Sequence, residues 1–345
     1  MITVNGGPLS LEQQRSGKVG AVAIGRNEGE RLRLCLESLR KDPAITHVVY
    51  VDSGSTDDSV AMAEAKGVAV VHLDLSQKFT AARARNAGWR LLVRKNPEIE
   101  FIQFVDGDCE VVEGWVSAGR DALMGDRELA AVCGRRRERF PEYSLYNKLC
   151  DLEWDTPVGE VRACGGDALI RTEALLRVDG YREDLIAGEE PEMCYRMRQL
   201  GYRIRRIQHE MTLHDANISS PSQWYQRTKR AGHAYAEWVA LHGSESERMG
   251  VKQTASNLVW GLGVPTAIGA AVVGIGPWTA TVTGVVAYAY LLRKSYVQAR
   301  TRRPHEDALL QAASWVAGKV PEAHGAIKFA VTRALGKQSR LVEYK

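Results

Sequence analysis

Two carboxylates one residue apart close the run Phe101-Ile102-Gln103-Phe104-Val105-Asp106-Gly107-Asp108. The apolar part reads as a buried strand. An Asp-x-Asp pair at its end offers hard oxygen ligands at the carboxyl edge of a sheet, where open α/β folds place what they bind. Gly107 lets the backbone turn tightly, so that both side chains can face one divalent ion. Such an ion, partly open to water, suits a diphosphate. An Asp-Gly turn between two elements gives the same residues without that chemistry. A second acidic feature is Gly188-Glu189-Glu190-Pro191, ahead of a helical pattern that ends near Gly201. With Pro191 suited to the first helical position, Glu190 lies at a helix N-terminus, where the dipole favours a carboxylate; plain capping explains it equally.

The elements that must position these groups alternate along the first hundred residues. Val19–Ile24, His47–Val51 and Val68–Leu73 are strand-like, and each is followed by a helical pattern: Asn27–Lys41 with Asn27 placed to cap, a short helix stopping at Gly67, and Thr80–Arg94. Strands joined by crossover helices predict a largely parallel sheet covered on both faces. Leu129–Gly134 reads as one more strand, followed by the basic cluster Arg135-Arg136-Arg137-Glu138-Arg139.

Downstream, no residue from Leu258 to Leu292 is charged; Lys252 precedes the stretch, and Arg293, Lys294, Arg300, Arg302 and Arg303 follow it. A bilayer crossing takes roughly 20 apolar residues. A break at Gly274-Ile275-Gly276-Pro277-Trp278 makes a hairpin of two helices the expected form, with both basic flanks on one side. A buried helix pair and an interfacial segment are the alternatives. The net charge of +4 conceals an asymmetry: residues 293–345 hold eleven Lys/Arg against four Asp/Glu. A basic tail after a hydrophobic segment points to membrane phosphates, and no nucleic-acid-binding module is visible. The six cysteines (Cys35, Cys109, Cys133, Cys150, Cys164, Cys194) form no Cys-x-x-Cys pair, which fits a reducing compartment. Met1–Lys18 lacks an apolar signal core. Neither the Gly-x-Gly-x-x-Gly fingerprint nor a P-loop follows the first strand, which argues against dehydrogenase and ATPase chemistry.

Five motifs occur in a telling order: Val22-Ala23-Ile24-Gly25-Arg26-Asn27-Glu28, Val51-Asp52-Ser53-Gly54-Ser55-Thr56-Asp57, Arg85-Asn86-Ala87-Gly88, Asp106-Gly107-Asp108 and Gly188-Glu189-Glu190. Together with His214 they resemble the inverting glycosyltransferases of family 2, over about residues 18–240. Within the family, the likeness is to the bacterial branch that builds exopolysaccharides. The resemblance implies an α/β GT-A fold, a Rossmann-like mixed, mostly parallel sheet that binds a nucleotide-diphosphate sugar, followed here by the hydrophobic helical segment. The implied organisation is an N-terminal extension (1–17), a catalytic domain (18–240), a linker (241–257), a membrane hairpin (258–292) and a basic helical tail (293–345).

The resemblance also implies roles. Asn27, Glu28 and Asp52 would hold the nucleoside, Asp52 facing the base, with Arg83 or Arg85 beside the nucleotide. Asp106 would lie near the ribose, Asp108 would bind Mg²⁺ or Mn²⁺, and His214 would add a metal or diphosphate contact. The family usually has Glu-Asp where this chain has Glu189-Glu190, so Glu190 becomes the base that deprotonates the acceptor, reaching slightly further, or Glu189 shares the work by orienting the acceptor. Asp167 would sit near the acceptor. Gln223-Trp224-Tyr225-Gln226-Arg227 resembles the Gln-x-x-Arg-Trp element of processive synthases without its Trp; Arg227 and Arg230 would meet a diphosphate, or line the wet face of an amphipathic helix. The implied function is inverting, metal-dependent sugar transfer to a glycan or polyprenyl-linked acceptor, at the cytoplasmic face of the cell membrane in bacterial polysaccharide synthesis. The rivals are a sugar nucleotidyltransferase and a non-catalytic nucleotide-binding membrane scaffold.

Overall fold

The structure, a computed structural model, describes residues 17–274 and 276–337. The foreseen N-terminal extension, apart from Gly17, and residues 338–345 of the basic tail lie outside the described residues. The first half builds as its periodicity predicts: β1 (Val19–Gly25), α1 (Glu30–Lys41), β2 (Ile45–Asp52), α2 (Ser59–Ala65), β3 (Ala69–His72), α3 (Ala81–Lys95) and β4 (Phe101–Asp106). β1 pairs in parallel with both β2 and β4, and β2 with β3, so the crossover helices cover the sheet. One expectation fails locally. α1 starts at Glu30 after Gly29, and Asn27, at φ 56°, is not its cap.

The second half is mixed rather than parallel. β5 (Cys109–Val111), α4 (Trp115–Gly125), β6 (Leu129–Glu138), α5 (Leu145–Trp154), β7 (Gly159–Glu160), β8 (Ala168–Arg171), α6 (Thr172–Arg177), α7 (Glu189–Gln199) and β9 (Arg203–His214) follow. The sheet order is β3-β2-β1-β4-β8-β6-β9-β5, with β7 on β9. β8 runs antiparallel to both β4 and β6, β9 parallel to β6, and β5 antiparallel to β9. This arrangement carries His214, the last residue of β9, beside Cys109, directly after the Asp-Gly-Asp turn. One apolar core runs from Val19 to Met211, with Trp115, Tyr50, Phe101 and Phe104 fully enclosed. All six cysteines are free thiols buried in the protein.

Beyond the sheet lie α8 (Pro221–His242), α9 (Val251–Leu258), a π-helical turn (Val259–Gly263), α10 (Val264–Gly274), α11 (Pro277–Arg300), α12 (His305–Ala317) and α13 (Lys319–Ala334). α8 opens with a reciprocal Ser220/Gln223 capping box and Pro221 in the first turn. The expected linker 241–257 is therefore partly helical. Val251–Gly274 is one continuous helix, the single described helix long and apolar enough to cross a membrane. α10 and α11 form the foreseen hairpin, broken between Gly274 and Pro277. Val273, Trp278, Val282, Val285 and Val286 are exposed on it, so it is not a buried helix pair. Arg303, one of the basic residues that follow the uncharged stretch, is buried; it donates to Gln311 Oε1 at 2.7 Å and to the carbonyl of Leu152 in α5.

Candidate active site

A cleft of about 680 Å³ opens over the carboxyl ends of β1 and β4. Asn27, Glu28, Arg85, Asp106, Asp108, Glu189, Glu190, His214, Arg227 and Arg230 all line it. Residues from four of the five sequence motifs, together with His214 and residues of α8, are thus brought to one cleft.

The floor is a chain of alternating charges. Arg85, buried on α3, donates to Glu189 Oε1 at 2.7 Å and to Asp106 Oδ1 at 2.8 Å. Its guanidinium also lies over the Tyr181 ring. Burial works against the Arg85 charge, but Asp106 and Glu189 outweigh it and raise the pKa above the ordinary arginine value. Arg136 lies 2.7 Å from Asp167 Oδ2 and 3.8 Å from Asp106 Oδ2, with its guanidinium over the Trp154 ring. Burial again opposes the charge, and Asp167 and Asp106 again win. Gly166 makes this crowding sterically feasible: a Cβ there would stand 2.9 Å from Arg85 Nη2 and 3.2 Å from Asp106 Oδ2.

Glu189 and Glu190 reach the cleft because Gly188 holds φ 74°, a left-handed conformation costly for other residues. A Cβ on Gly188 would also strike Trp238, whose indole N–H donates to the Gly188 carbonyl at 3.0 Å. α7 starts at Glu189, so Pro191 sits within the first turn rather than at its first position. Glu190 Oε1 accepts from the backbone N–H of Cys164 at 2.6 Å and from Cys194 Sγ at 3.0 Å.

Asp108 and His214 are both buried, with Oδ1 and Nε2 3.4 Å apart. Glu138 stands behind the ring, its Oε2 3.9 Å from Nδ1, and Trp154 meets the ring edge-on at 4.8 Å. Oxygen and imidazole donors at that separation fit a common Mg²⁺ or Mn²⁺; Glu138 is too far to hydrogen-bond Nδ1, and its oxygens accept from Phe140 N, Asn147 Nδ2 and Ala216 N. Asp106 reaches the same turn, but one of its oxygens is held by Arg85.

Three expected residues stand outside the cleft lining. Asp52 uses its oxygens on its own turn, accepting from Gly54 N at 2.9 Å and Ser55 N at 3.1 Å. That turn in turn holds Asn27, whose N–H donates to Ser55 Oγ and whose Oδ1 accepts from Thr56 N at 2.7 Å. Asp167 is fully buried beneath the floor, held by Arg136 and Thr212. It supports the site rather than touching an acceptor. Arg83 donates to the carbonyls of Lys78 and Asp74; of the two arginines offered, Arg85 is the one at the cleft. Arg227 is paired with Glu153 at 2.7 Å.

The sequence reading missed Arg136 and the aromatic wall of Trp154, Tyr235 and Trp238. A signal for Arg136 was present. Arg135 and Arg137 both face Asp151, and strand alternation turns the residue between them to the opposite side.

A mixed sheet with paired carboxylates at its carboxyl edge and a second acidic helix start across the cleft defines a nucleotide-diphosphosugar transferase fold of the GT-A type. In keeping with that class, a mannosyltransferase from Pyrobaculum calidifontis, solved with GDP-mannose and Mn²⁺, superposes with a TM-score of 0.55 at 17% identity, covering 91% of this chain and 87% of that one. The family described as Glycosyl transferase family 2 matches residues 22–170 of this chain. Its curated relatives include the O-antigen chain rhamnosyltransferase RfbN of Salmonella typhimurium, 24% identical over 56% of this chain and 64% of the relative. The succinoglycan biosynthesis protein ExoA of Rhizobium meliloti is 27% identical over 52% and 57%. The chain thus matches less than two thirds of the length of each of these relatives.

Proposed function

We propose that this chain transfers a sugar, with inversion, from a nucleotide-diphosphate donor to a glycan or lipid-linked acceptor in bacterial polysaccharide synthesis. The observation that carries the reading is the meeting of Asp106, Asp108 and His214 with Glu190 across one cleft. A divalent ion held by Asp108 and His214, with Asp106 beside it, would supply Lewis-acid stabilisation to the departing diphosphate. Arg85 and Arg136 add fixed positive charge on the same floor. Glu190 takes the acceptor proton; with Oε1 held by two donors, Oε2 is the oxygen left for it. Glu189, tied to Arg85, holds the start of α7 in place instead of orienting the acceptor. The relatives named for O-antigen and succinoglycan synthesis support a glycan product. The exposed apolar hairpin and its basic flank support a seat on the cytoplasmic face of the cell membrane.

Calorimetry of UDP, GDP and dTDP binding to detergent-extracted protein, with and without Mn²⁺, tests the donor half. One nucleotide is expected to bind in a metal-dependent way, and Asp108→Asn to abolish that dependence. Glu190→Gln is expected to lower transfer by about 10²–10⁴-fold with nucleotide affinity kept. Binding without any transfer in the wild type would instead favour the scaffold.

A further inference from the structure

Cys164 and Cys194 take no part in the reaction proposed above, yet both touch its base. Cys164 precedes the Gly165-Gly166 loop, and Cys194 sits one helical turn after Glu190 on α7. Residues four apart share one helix face, so a single stretch of α7 presents a carboxylate and a sulfur together, and the loop brings the second sulfur. The sulfurs lie 3.6 Å apart and Cys194 Sγ is 3.0 Å from Glu190 Oε1. All three ligand atoms lie within 4.8 Å of one another. Two sulfurs bound to one tetrahedral zinc, each about 2.3 Å from it, are separated by roughly 3.8 Å. The thiols therefore stand close to that spacing already, without a bond between them.

We infer that Cys164, Cys194 and Glu190 form a second, thiophilic cation site, taking Zn²⁺ or Cd²⁺ through two sulfurs and one carboxylate oxygen. Its hard counterpart at Asp108 and His214 offers oxygen and nitrogen, so ligand softness separates the two. On binding, each thiol gives its proton to solvent and forms a metal–sulfur bond; no electron is transferred. The fourth position belongs to water entering from the cleft, since Glu190 lines it. A cation seated there engages the carboxylate that the transfer step needs, so occupancy stops the reaction. Only this inhibition rests on Glu190 being the base; binding does not.

Cadmium titration of the reduced full chain, followed by cadmium–thiolate absorbance and ¹¹³Cd NMR, reads the site directly. One ion with a two-sulfur signature is expected, kept in Asp108→Asn and Cys133→Ser and weakened at least tenfold in Cys164→Ala and Cys194→Ala. A wild-type spectrum with only oxygen and nitrogen ligation overturns the site, without any variant having to fold. So does a two-sulfur signal that survives in the Cys164→Ala/Cys194→Ala double variant. Zn²⁺ is then expected to block sugar transfer reversibly, with a chelator restoring it. Binding with the two-sulfur signature but undiminished transfer would keep the site and remove Glu190 from the chemistry.

Discussion

Arg136 brings a positive charge into a pocket where its partner Asp167 has no exposure at all. Removing one member of a buried pair leaves the other charged and without its counter-ion, at a cost of about 3–5 kcal/mol. Arg136→Met is expected to lose that much in urea denaturation, and Arg136→Met combined with Asp167→Asn to recover part of it. Non-additivity in that cycle would measure the coupling. The residues legible beforehand, Asp108, Glu190 and His214, are those whose motif places them at the end of a strand or the start of a helix, where backbone direction alone decides what faces the cleft. Asp52 and Asp167 were read as contacts because their motifs said nothing of side-chain competition. Backbone N–H groups claim the first, and Arg136 with Thr212 claims the second. Such claims depend on neighbours remote in the chain.

At the level of elements, α8 packs against α9 and α13 and lines the cleft. Gly232 and Gly325 let α8 and α13 touch backbone to backbone: a Cβ on Gly325 would overlap the Lys229 carbonyl, and one on Gly232 the carbonyl of Glu322. Because backbone cannot step aside, Gly325→Ala is expected to cost at least about 1–3 kcal/mol, visible as a lower melting temperature. α8 also carries Glu237, whose pKa burial, with Asp184 nearby, pushes up to about 7. Its neighbour His233, 3.6 Å away, is pushed down to about 4 by burial and by Lys328 and Arg230, so at neutral pH it is uncharged and gives Glu237 no counter-ion. For a carboxyl raised on folding, the unfolded chain releases its proton first. Stability therefore falls as pH rises from about 4.5 to about 7 and stays reduced above that. Glu237→Gln is expected to raise the melting temperature at pH 8 and to leave it nearly unchanged below pH 4.5. The strand–helix alternation of the first half was readable because each element carries its own period. The antiparallel insertion of β8 between β4 and β6 was not, since strand order is set by packing between segments far apart in sequence.

Over the whole molecule, charge and hydropathy are segregated. The apolar arms of the hairpin, residues 258–274 and 277–292, each measure about 25 Å at 1.5 Å per residue, slightly under the ~30 Å of a hydrocarbon core. Arg293, Lys294, Arg300 and Arg302 stay exposed at the base of α11. Flotation with vesicles is expected to show binding that is stronger with anionic lipid and weaker with salt. Val273→Asp together with Trp278→Asp, at exposed positions near the tip, is expected to cut binding at least tenfold while leaving nucleotide affinity intact.

The uninterrupted helix from Val251 to Gly274 starts in contact with α8 and α13, and α8 lines the cleft. The segment that would enter lipid is thus joined by continuous helix to the part packed on α8. With the hairpin in lipid as proposed, the protein would work as a gauge of height, holding Glu190 at a set altitude above the bilayer. On that reading, acceptors whose reactive hydroxyl stands at that altitude would be served, and chains that have outgrown it would not.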